Sequence, residues 1–159
     1  MTDPTQAQER GELLYLEDLE VGQRFTTAGH ALDEASIKAF ALQFDPQPFH
    51  LDNDAAEKTF FGGLAASGWH TAAITMNLLV TSGPPFAWGV PGAGGEITWP
   101  RPVRPGDVLH VQAEIVEIRP SRSRPDRGIV LIRNETRNQN DDIVQLFTAR
   151  VIVPTRPSA

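Results

Sequence analysis

Asp45 and His50 are the two residues of this chain whose side chains are best suited to acid–base chemistry. They stand five positions apart, whereas residues that share a helical face are three or four apart. Pro46 and Pro48 lack backbone donors and favour an extended chain. We therefore predict a stiff loop that presents a carboxylate and an imidazole to a shared water, as general acid–base catalysis requires.

The helices that would position this loop are indicated by capping residues and apolar periodicity. Asp33 is a candidate N-cap, and the apolar spacing that follows predicts a helix ending at Phe44. A short polar helix is expected over 52–58. Ser67 begins the most apolar long segment, which predicts a helix to about Thr81. Because its apolar residues cover nearly every face, we expect this helix to be buried.

Strands are predicted mainly in the last third of the chain. Apolar and polar residues alternate from Leu109 to Ile115, and the phase changes at Val116, which indicates a bulge. The segment 82–95 is rich in proline and glycine, so we expect no regular element there. Further strands are predicted at 20–33, 96–99, 129–138 and 143–153. One buried helix with several long antiparallel strands predicts an α+β domain whose sheet wraps around that helix.

The length of 159 residues fits a single domain with a substantial core. We place this domain at residues 13–154, after a loose leader at 1–12 and before a C-terminal tail at 155–159. The absence of cysteine excludes disulfides and cysteine nucleophiles, and the net charge of −6 disfavours a nucleic-acid partner. No segment has the pattern of a membrane span or a secretion signal, so we expect a cytoplasmic protein.

The chain resembles the MaoC-like dehydratases and (R)-specific enoyl-CoA hydratases. The similarity covers roughly Leu14 to Val153. It rests on the following segments: Asp45-Pro46-Gln47-Pro48-Phe49-His50-Leu51-Asp52, Phe61-Gly62-Gly63, Ser67-Gly68, Trp99-Pro100-Arg101-Pro102-Val103 and Pro105-Gly106-Asp107. Two positions depart from the family pattern, because Gln47 stands where Asn is frequent and Ser67 where His is frequent. These departures bear on the substrate rather than on the reaction.

The resemblance implies a hot-dog fold, in which a curved antiparallel sheet wraps a long central helix. It also implies a homodimer that adds water reversibly to an α,β-unsaturated acyl thioester, converting enoyl-CoA to (R)-3-hydroxyacyl-CoA. Coenzyme A would be part of the substrate, so no cofactor is expected. No pair of histidines or carboxylates has a recognised metal spacing, and we predict no metal.

Within this family resemblance, Asp45 and His50 are the candidate catalytic pair. The division of roles between them stays open at this stage. Gly68 would offer its backbone N–H as an oxyanion hole, because the first N–H groups of a helix lack intrahelical partners and lie at the positive end of its dipole. The alternative interpretation is that Asp45 caps a turn, His50 packs in the interior and Gly68 is only a spacer.

Substrate contacts are predicted for six further residues: Ser67, Phe49, Trp69, Gly63, Arg122 and Arg124. The two arginines belong to the only basic cluster of an acidic chain, and arginine binds the phosphates of coenzyme A well. The alternative, which we favour for them, is a solvated hairpin end. Ser67 is also a candidate N-cap.

Two other functions remain as alternatives. A hot-dog thioesterase would use an acidic residue on the central helix, but the segment from Ser67 to Ser82 contains none. A non-catalytic subunit that binds acyl thioesters would be expected to lose Asp45 or His50, and this chain has both. The hydratase or dehydratase interpretation therefore stands first.

Overall fold

Within residues 11–158, which the computed structural model describes, six strands form one antiparallel sheet. They are β1 (Arg24–Thr26), β2 (His30–Ala31), β3 (Gly92–Thr98), β4 (Val108–Pro120), β5 (Arg127–Arg137) and β6 (Ile143–Pro154). The order across the sheet is β1-β4-β5-β6-β3, and β2 pairs with the start of β4. The helices of the same part of the chain are α1 (Glu34–Phe44), α2 (Pro48–Leu51), α3 (Asn53–Glu57) and α4 (Gly68–Ser82), with a 3-10 turn at Leu16–Asp18.

The core lies between α4 and one face of the sheet. Alternate residues of the long strands point toward the helix, as the period of two along a strand requires. The buried residues include Val111, Ala113 and Ile115 of β4, Val130 and Ile132 of β5, and Ile74, Leu78 and Leu79 of α4. This arrangement confirms the predicted α+β class and the hot-dog fold.

The predicted change of phase in β4 is present as a bulge. The pairing of β4 with β5 shifts between Ile115 and Glu117, so one extra residue of β4 lies opposite β5 at this point. The helix predicted after Asp33 is also confirmed, since the Asp33 carboxylate accepts a hydrogen bond from Ser36 N at 2.8 Å. The predicted strand at 20–33 is present only as the two short strands β1 and β2.

Helix α4 is less buried than its composition predicted. Trp69, Met76 and Val80 are 60%, 40% and 42% exposed and lie on one face of the helix. A single chain has one sheet to cover α4, and the opposite face of the helix therefore remains exposed. The expectation of burial on nearly all faces was wrong for the chain on its own.

Strand β3 begins earlier than expected. We expected no regular element over residues 82–95, but β3 starts at Gly92 and pairs with β6. At Gly95, a Cβ atom would lie 2.3 Å from the carbonyl oxygen of Thr148, so only glycine allows the two strands this approach. The high glycine content of this segment argued against a strand, but Gly95 is what allows β3 to pair with β6.

The chain ends are described only in part. Most of the predicted leader, residues 1–10, lies outside the described residues. After β6, Arg156 donates to the Asp18 carboxylate at 2.6 Å, which ties the C-terminal segment to the 3-10 turn. Among the described helices, none is both long enough and apolar enough to cross a membrane.

Candidate active site

The chain between α1 and α4 brings Asp45 and His50 together. Asp45 is the C-cap of α1, and its φ of −151° takes the chain out of the helix. Pro48 then begins α2, whose third residue is His50. The predicted extended loop is therefore wrong in its second half, because a proline at the first position of a helix fits the helical backbone.

The two side chains are in direct contact. His50 Nε2 lies 3.2 Å from Asp45 Oδ2, and the side chains are 4% and 16% exposed. We predicted that the two groups share a water; the structure places them in direct contact, and their action on a water stays a prediction. At such low exposure their interaction is screened less than it would be at the surface.

The orientation of the His50 ring is set by a backbone carbonyl. Nδ1 lies 2.6 Å from the carbonyl oxygen of Ala65, which can only accept a hydrogen bond, so Nδ1 carries a hydrogen. In a neutral ring Nε2 would then present a lone pair to Asp45. The 3.2 Å contact is favourable when a proton lies between the two atoms.

Asp45 is held in its ionised form by two neighbouring side chains. Ser67 Oγ donates to Oδ2 at 2.7 Å, and Gln47 Nε2 donates to Oδ1 at 2.6 Å. Burial by itself raises the pKa of Asp45, but these hydrogen bonds and the nearby His50 outweigh it, and the pKa lies below its usual value of 3.8. Asp45 is therefore a carboxylate at neutral pH.

Ser67 links the acid to helix α4. Its Oγ accepts a hydrogen bond from Trp69 N at 3.2 Å, which makes it the N-cap of α4, and donates to Asp45. The predicted capping role is confirmed. Ser67 is fully buried and does not line the pocket beside Asp45, so its predicted contact with substrate stays a prediction.

Gly68 is the first residue of α4 and lies against Trp99. A Cβ atom at this position would be 2.6 Å from Cε2 of the Trp99 indole, so no side chain fits here. Within the described part of the chain, the Gly68 N–H has no hydrogen-bond acceptor. It is available to an oxygen atom of a ligand at the positive end of the helix dipole.

A series of largely buried hydrogen bonds fixes Trp99 in this position. Its Nε1 donates to Gln145 Oε1 at 3.0 Å, and Gln145 Nε2 donates to Thr75 Oγ1 at 3.0 Å. Thr75 Oγ1 is 2.6 Å from Thr136 Oγ1. Sequence reasoning missed this series of hydrogen bonds, because its members come from the residue after β3 and from α4, β5 and β6, and share no local pattern.

These groups surround a pocket of about 400 Å³. Asp45, His50 and Gly68 line it, and aromatic side chains form much of the rest: Phe49, Phe60, Phe61, Trp69 and Trp99. Of the predicted substrate contacts, Phe49 and Trp69 therefore lie in the pocket. The arrangement combines an acid–base pair, a free backbone donor and apolar walls, which suits a reaction on an apolar carbonyl compound.

Three predicted contacts lie elsewhere in the chain. Gly63 does not line this pocket, and its carbonyl accepts a hydrogen bond from Arg104 at 2.8 Å. Arg122 and Arg124 lie in the turn between β4 and β5, at the end of the sheet away from Trp99. Their contact with coenzyme A stays a prediction.

A second pocket, of about 210 Å³, lies beside the C-terminal half of α4. It is lined mainly by apolar residues, among them Met76, Leu79, Phe147 and Val151. Part of its wall comes from the segment before β3, which includes Pro84, Phe86 and Val90.

Comparison with known proteins agrees with these observations. Residues 18–136 match the family described as MaoC like domain. The chain belongs to this family. The match includes Asp45, His50 and Gly68, so the residues that line the first pocket in this MaoC-like chain lie within the family's domain.

Solved structures and a curated relative of this MaoC-like chain include hydratases and dehydratases. A MaoC-like dehydratase from Rhodospirillum rubrum is 61% identical with a TM-score of 0.90, covering 91% of this chain and 99% of that one. The (R)-hydratase PhaJ1 from Pseudomonas aeruginosa is 28% identical with a TM-score of 0.72, covering 89% and 86% of the two chains. A 3-hydroxybutyryl-CoA dehydratase from Methylorubrum extorquens is 31% identical over 153 residues, 92% of this chain and 88% of the relative.

Proposed function

We propose that this MaoC-like domain catalyses the reversible addition of water to an α,β-unsaturated acyl thioester, giving the (R)-3-hydroxyacyl thioester. The observation that carries the proposal is the contact of 3.2 Å between His50 Nε2 and Asp45 Oδ2 in a pocket that also contains the Gly68 N–H. The relatives described as hydratases and dehydratases support the same reaction class.

The hydrogen bonds of the pair suggest a division of roles. Asp45 is ionised, and its carboxylate takes a proton from the water as the water oxygen bonds to the β-carbon. The π electrons of the double bond move toward the thioester, and its oxygen becomes an enolate. His50, which carries hydrogens on both ring nitrogens at this step, then gives its Nε2 proton to the α-carbon. The contact with Asp45 allows the proton gained by the carboxylate to return to His50 Nε2.

Gly68 supplies the third element of the proposed mechanism. Its N–H would donate to the thioester oxygen as negative charge develops on that atom, which stabilises the enolate more than the ground state. Coenzyme A enters as part of the substrate, so the proposed reaction needs no cofactor. None of the proposed steps requires a metal, since the proton transfers use Asp45 and His50 alone.

We propose that the acyl chain extends along α4 toward the second pocket. Met76 lines that pocket and lies eight residues after Gly68, which corresponds to roughly 12 Å along the helix axis. The apolar lining favours a hydrocarbon chain. Met76→Trp should therefore exclude long enoyl chains while short chains still react.

We further propose that the protein acts as a homodimer. Trp69, Met76 and Val80 form an exposed apolar stripe on α4, and β3 is the edge strand of the sheet beside it. An unpaired edge next to an apolar helix face is suited to pairing with the same surface of a second copy. Analytical ultracentrifugation tests this, and a monomer at micromolar concentration would contradict it.

The test of the reaction is the loss of crotonyl-CoA absorbance with purified protein, followed by chiral analysis of the product. We expect the (R)-3-hydroxyacyl thioester, and we expect Asp45→Asn and His50→Ala to abolish its formation while both variants stay folded. His110→Ala is the matched control, because His110 lies 3.9 Å from Asp141 in a second histidine–aspartate pair outside the pocket.

The same assay distinguishes the alternatives. Thiol release without hydration would indicate a thioesterase and contradict the proposal. Binding of enoyl-CoA without turnover, on a panel of short, long and branched chains, would indicate a non-catalytic subunit. The presence of both Asp45 and His50 in contact favours the enzyme over either alternative.

A further inference from the structure

Arg104 is a cation whose partners are backbone carbonyls. Its Nη1 donates to the oxygens of Gly63 and Leu64 at 2.8 Å and 3.2 Å, and its Nη2 donates to the oxygen of Phe61. Within residues 11–158, no carboxylate forms an ion pair with it. All of its side-chain hydrogen bonds thus go to one short segment of chain.

That segment, residues 61–64, has no helix or strand of its own. Gly62 and Gly63 have φ angles of 61° and 157°, so the chain reverses here in conformations that favour glycine. Glycine-rich backbone of this kind has high conformational freedom before it is held by partners. The guanidinium of Arg104 bridges three of its carbonyls and so fixes its path.

The residue that follows the segment holds the catalytic histidine. Ala65 O accepts from His50 Nδ1 at 2.6 Å, and Ala65 N donates to Phe49 O at 3.2 Å. One residue later, Ala66 N donates to Val103 O at 2.9 Å, next to Arg104 itself. The carbonyl that orients His50 is therefore fixed on one side by Arg104 and on the other by Val103.

We propose that Arg104 is a positioning residue that holds the Ala65 carbonyl against His50 Nδ1, so that one hydrogen stays on Nδ1 and Nε2 is the nitrogen that exchanges a proton with Asp45. The role in catalysis rests on the proposed function of Asp45 and His50, whereas the effect on the His50 ring does not. If the carbonyl moves away, Nδ1 loses its acceptor and the ring can exchange its hydrogen between the two nitrogens. In a fraction of the molecules the hydrogen then lies on Nε2, and the neutral ring has no lone pair there to take a proton from Asp45.

The geometry requires arginine and not only a positive charge. A guanidinium carries five N–H donors in a fixed plane, so one side chain reaches three carbonyls that point to the same side. A lysine ammonium is a single point at the end of a flexible chain. Arg104→Lys keeps the charge and removes the planar donor set, so it isolates the feature that the proposal uses.

The first experiment is ¹⁵N NMR of the His50 ring, measured without substrate. In the unmodified protein we expect Nδ1 to carry a hydrogen across neutral pH, and an Nδ1 without one would overturn the proposal. In Arg104→Lys we expect a mixture of the two ring forms. Arg24→Lys is the matched control, since the Arg24 side chain is 78% exposed on β1, and it should leave the His50 signals unchanged.

The second experiment is the kinetics of hydration in the same variants. For Arg104→Lys we expect kcat to fall by up to about 100-fold, the loss typical of a misplaced catalytic group, with KM within a factor of two. In Arg104→Ala, added guanidinium should restore part of kcat, whereas ethylammonium should not. Unchanged ring signals together with unchanged kcat in Arg104→Lys would overturn the proposal.

The two experiments separate this proposal from the proposed function. An altered His50 ring in Arg104→Lys, in a protein that hydrates no enoyl thioester, would support the positioning role and contradict the reaction. Hydration by the unmodified protein, with the His50 ring and kcat unaffected in Arg104→Lys, would support the proposed reaction and contradict the positioning role of Arg104.

Discussion

The hydroxyl of Ser67 joins the acid of the site to the N-terminus of α4: it donates to Asp45 Oδ2 at 2.7 Å and accepts from Trp69 N at 3.2 Å. One side chain thus stabilises the carboxylate and the helix end that carries the Gly68 N–H. Their relative position is fixed by this contact. Ser67 is one of the two departures from the pattern on which the resemblance rests, and the structure gives this serine a defined role.

Replacing Ser67 by alanine should affect both stability and pH dependence. We expect Ser67→Ala to lower the free energy of unfolding by about 1–3 kcal/mol, through loss of the cap and of a buried hydrogen bond. The pKa of Asp45 should rise, because a hydrogen bond that lowers it is gone. The acidic limb of the pH–rate profile would then move to higher pH.

The control for this variant is Asp33→Ala, which removes the N-cap of α1 at the end of that helix far from Asp45. It should lower stability and leave the acidic limb in place. If the acidic limb of the pH–rate profile lies at the same pH in Ser67→Ala and in the unmodified protein, the Ser67 hydroxyl does not stabilise the Asp45 carboxylate.

Asp45 should contribute to the acid sensitivity of the fold. Its pKa is lowered in the folded protein, so the unfolded chain binds a proton more readily. The resulting stability is present above the usual value of 3.8 and is lost as pH falls through the lowered folded pKa. Urea unfolding from pH 6 downward should show a weaker pH dependence in Asp45→Asn, and parallel curves would contradict this.

A side chain at Gly68 should disable the site by steric overlap. In Gly68→Ala the new Cβ would lie 2.6 Å from the Trp99 ring, so the indole or the helix end must move. The Gly68 N–H would be displaced with the helix end, and we expect kcat to fall by up to about 100- to 1,000-fold, the range seen when one oxyanion donor is lost. Gly11→Ala is the control, because no atom lies within 4 Å of the Cβ it would add.

A double variant tests whether overlap with the Trp99 ring is the cause. Gly68→Ala with Trp99→Val removes the overlapping ring and should recover part of the thermal stability lost in Gly68→Ala. A Gly68→Ala protein with normal kcat would contradict the prediction that overlap with Trp99 displaces this N–H from the site.

His70 should limit stability at mildly acidic pH. Its ring is buried, is stacked on Phe40 at 4.5 Å and leaves Nδ1 without a partner within the described residues. Burial, with a smaller effect from His30, lowers the pKa of His70 below 6.5. Stability from the neutral ring is therefore present above pH 6.5 and is lost as pH falls toward the lowered value.

His70→Phe should remove this sensitivity, because phenylalanine fills a similar volume and has no group to protonate. At pH 5.5 we expect the Tm of the variant to equal or exceed that of the unmodified protein. Any advantage in Tm of the variant should be smaller at pH 8. A larger loss of Tm in the variant at pH 5.5 than at pH 8 would contradict the prediction.

The parts of the fold with a clear period could be predicted from the sequence. Helix α1 has a capping aspartate at Asp33, and β4 alternates strictly before its bulge at Ile115. The start of β3 could not be predicted, because its glycines are needed for contact with Thr148, which lies more than fifty positions away. Local pattern carries no information about such a neighbour.

Some residues of the site could be predicted from the sequence and others could not. The types and spacing of Asp45 and His50 indicated acid–base chemistry, and the resemblance indicated Gly68. The roles of Arg104 and Gln145 could not be predicted, since Arg104 donates to carbonyls about forty residues earlier and Gln145 accepts from Trp99 46 residues away. Groups that hold the acid and the base are recognised only when the chain is folded.

The hydrogen bonds from Trp99 through Gln145 and Thr75 to Thr136 also restrict how α4 can move on the sheet. Apolar side chains alone would tolerate a shift of the helix along its axis. A shift by one turn, about 5.4 Å, would break both hydrogen bonds of Thr75 and affect three buried side chains, Thr75, Thr136 and Gln145. The four side chains in this series of hydrogen bonds are uncharged, so the restriction on α4 does not change with pH. The distance from the helix end at Gly68 to the sheet should stay constant while Asp45 and His50 exchange protons.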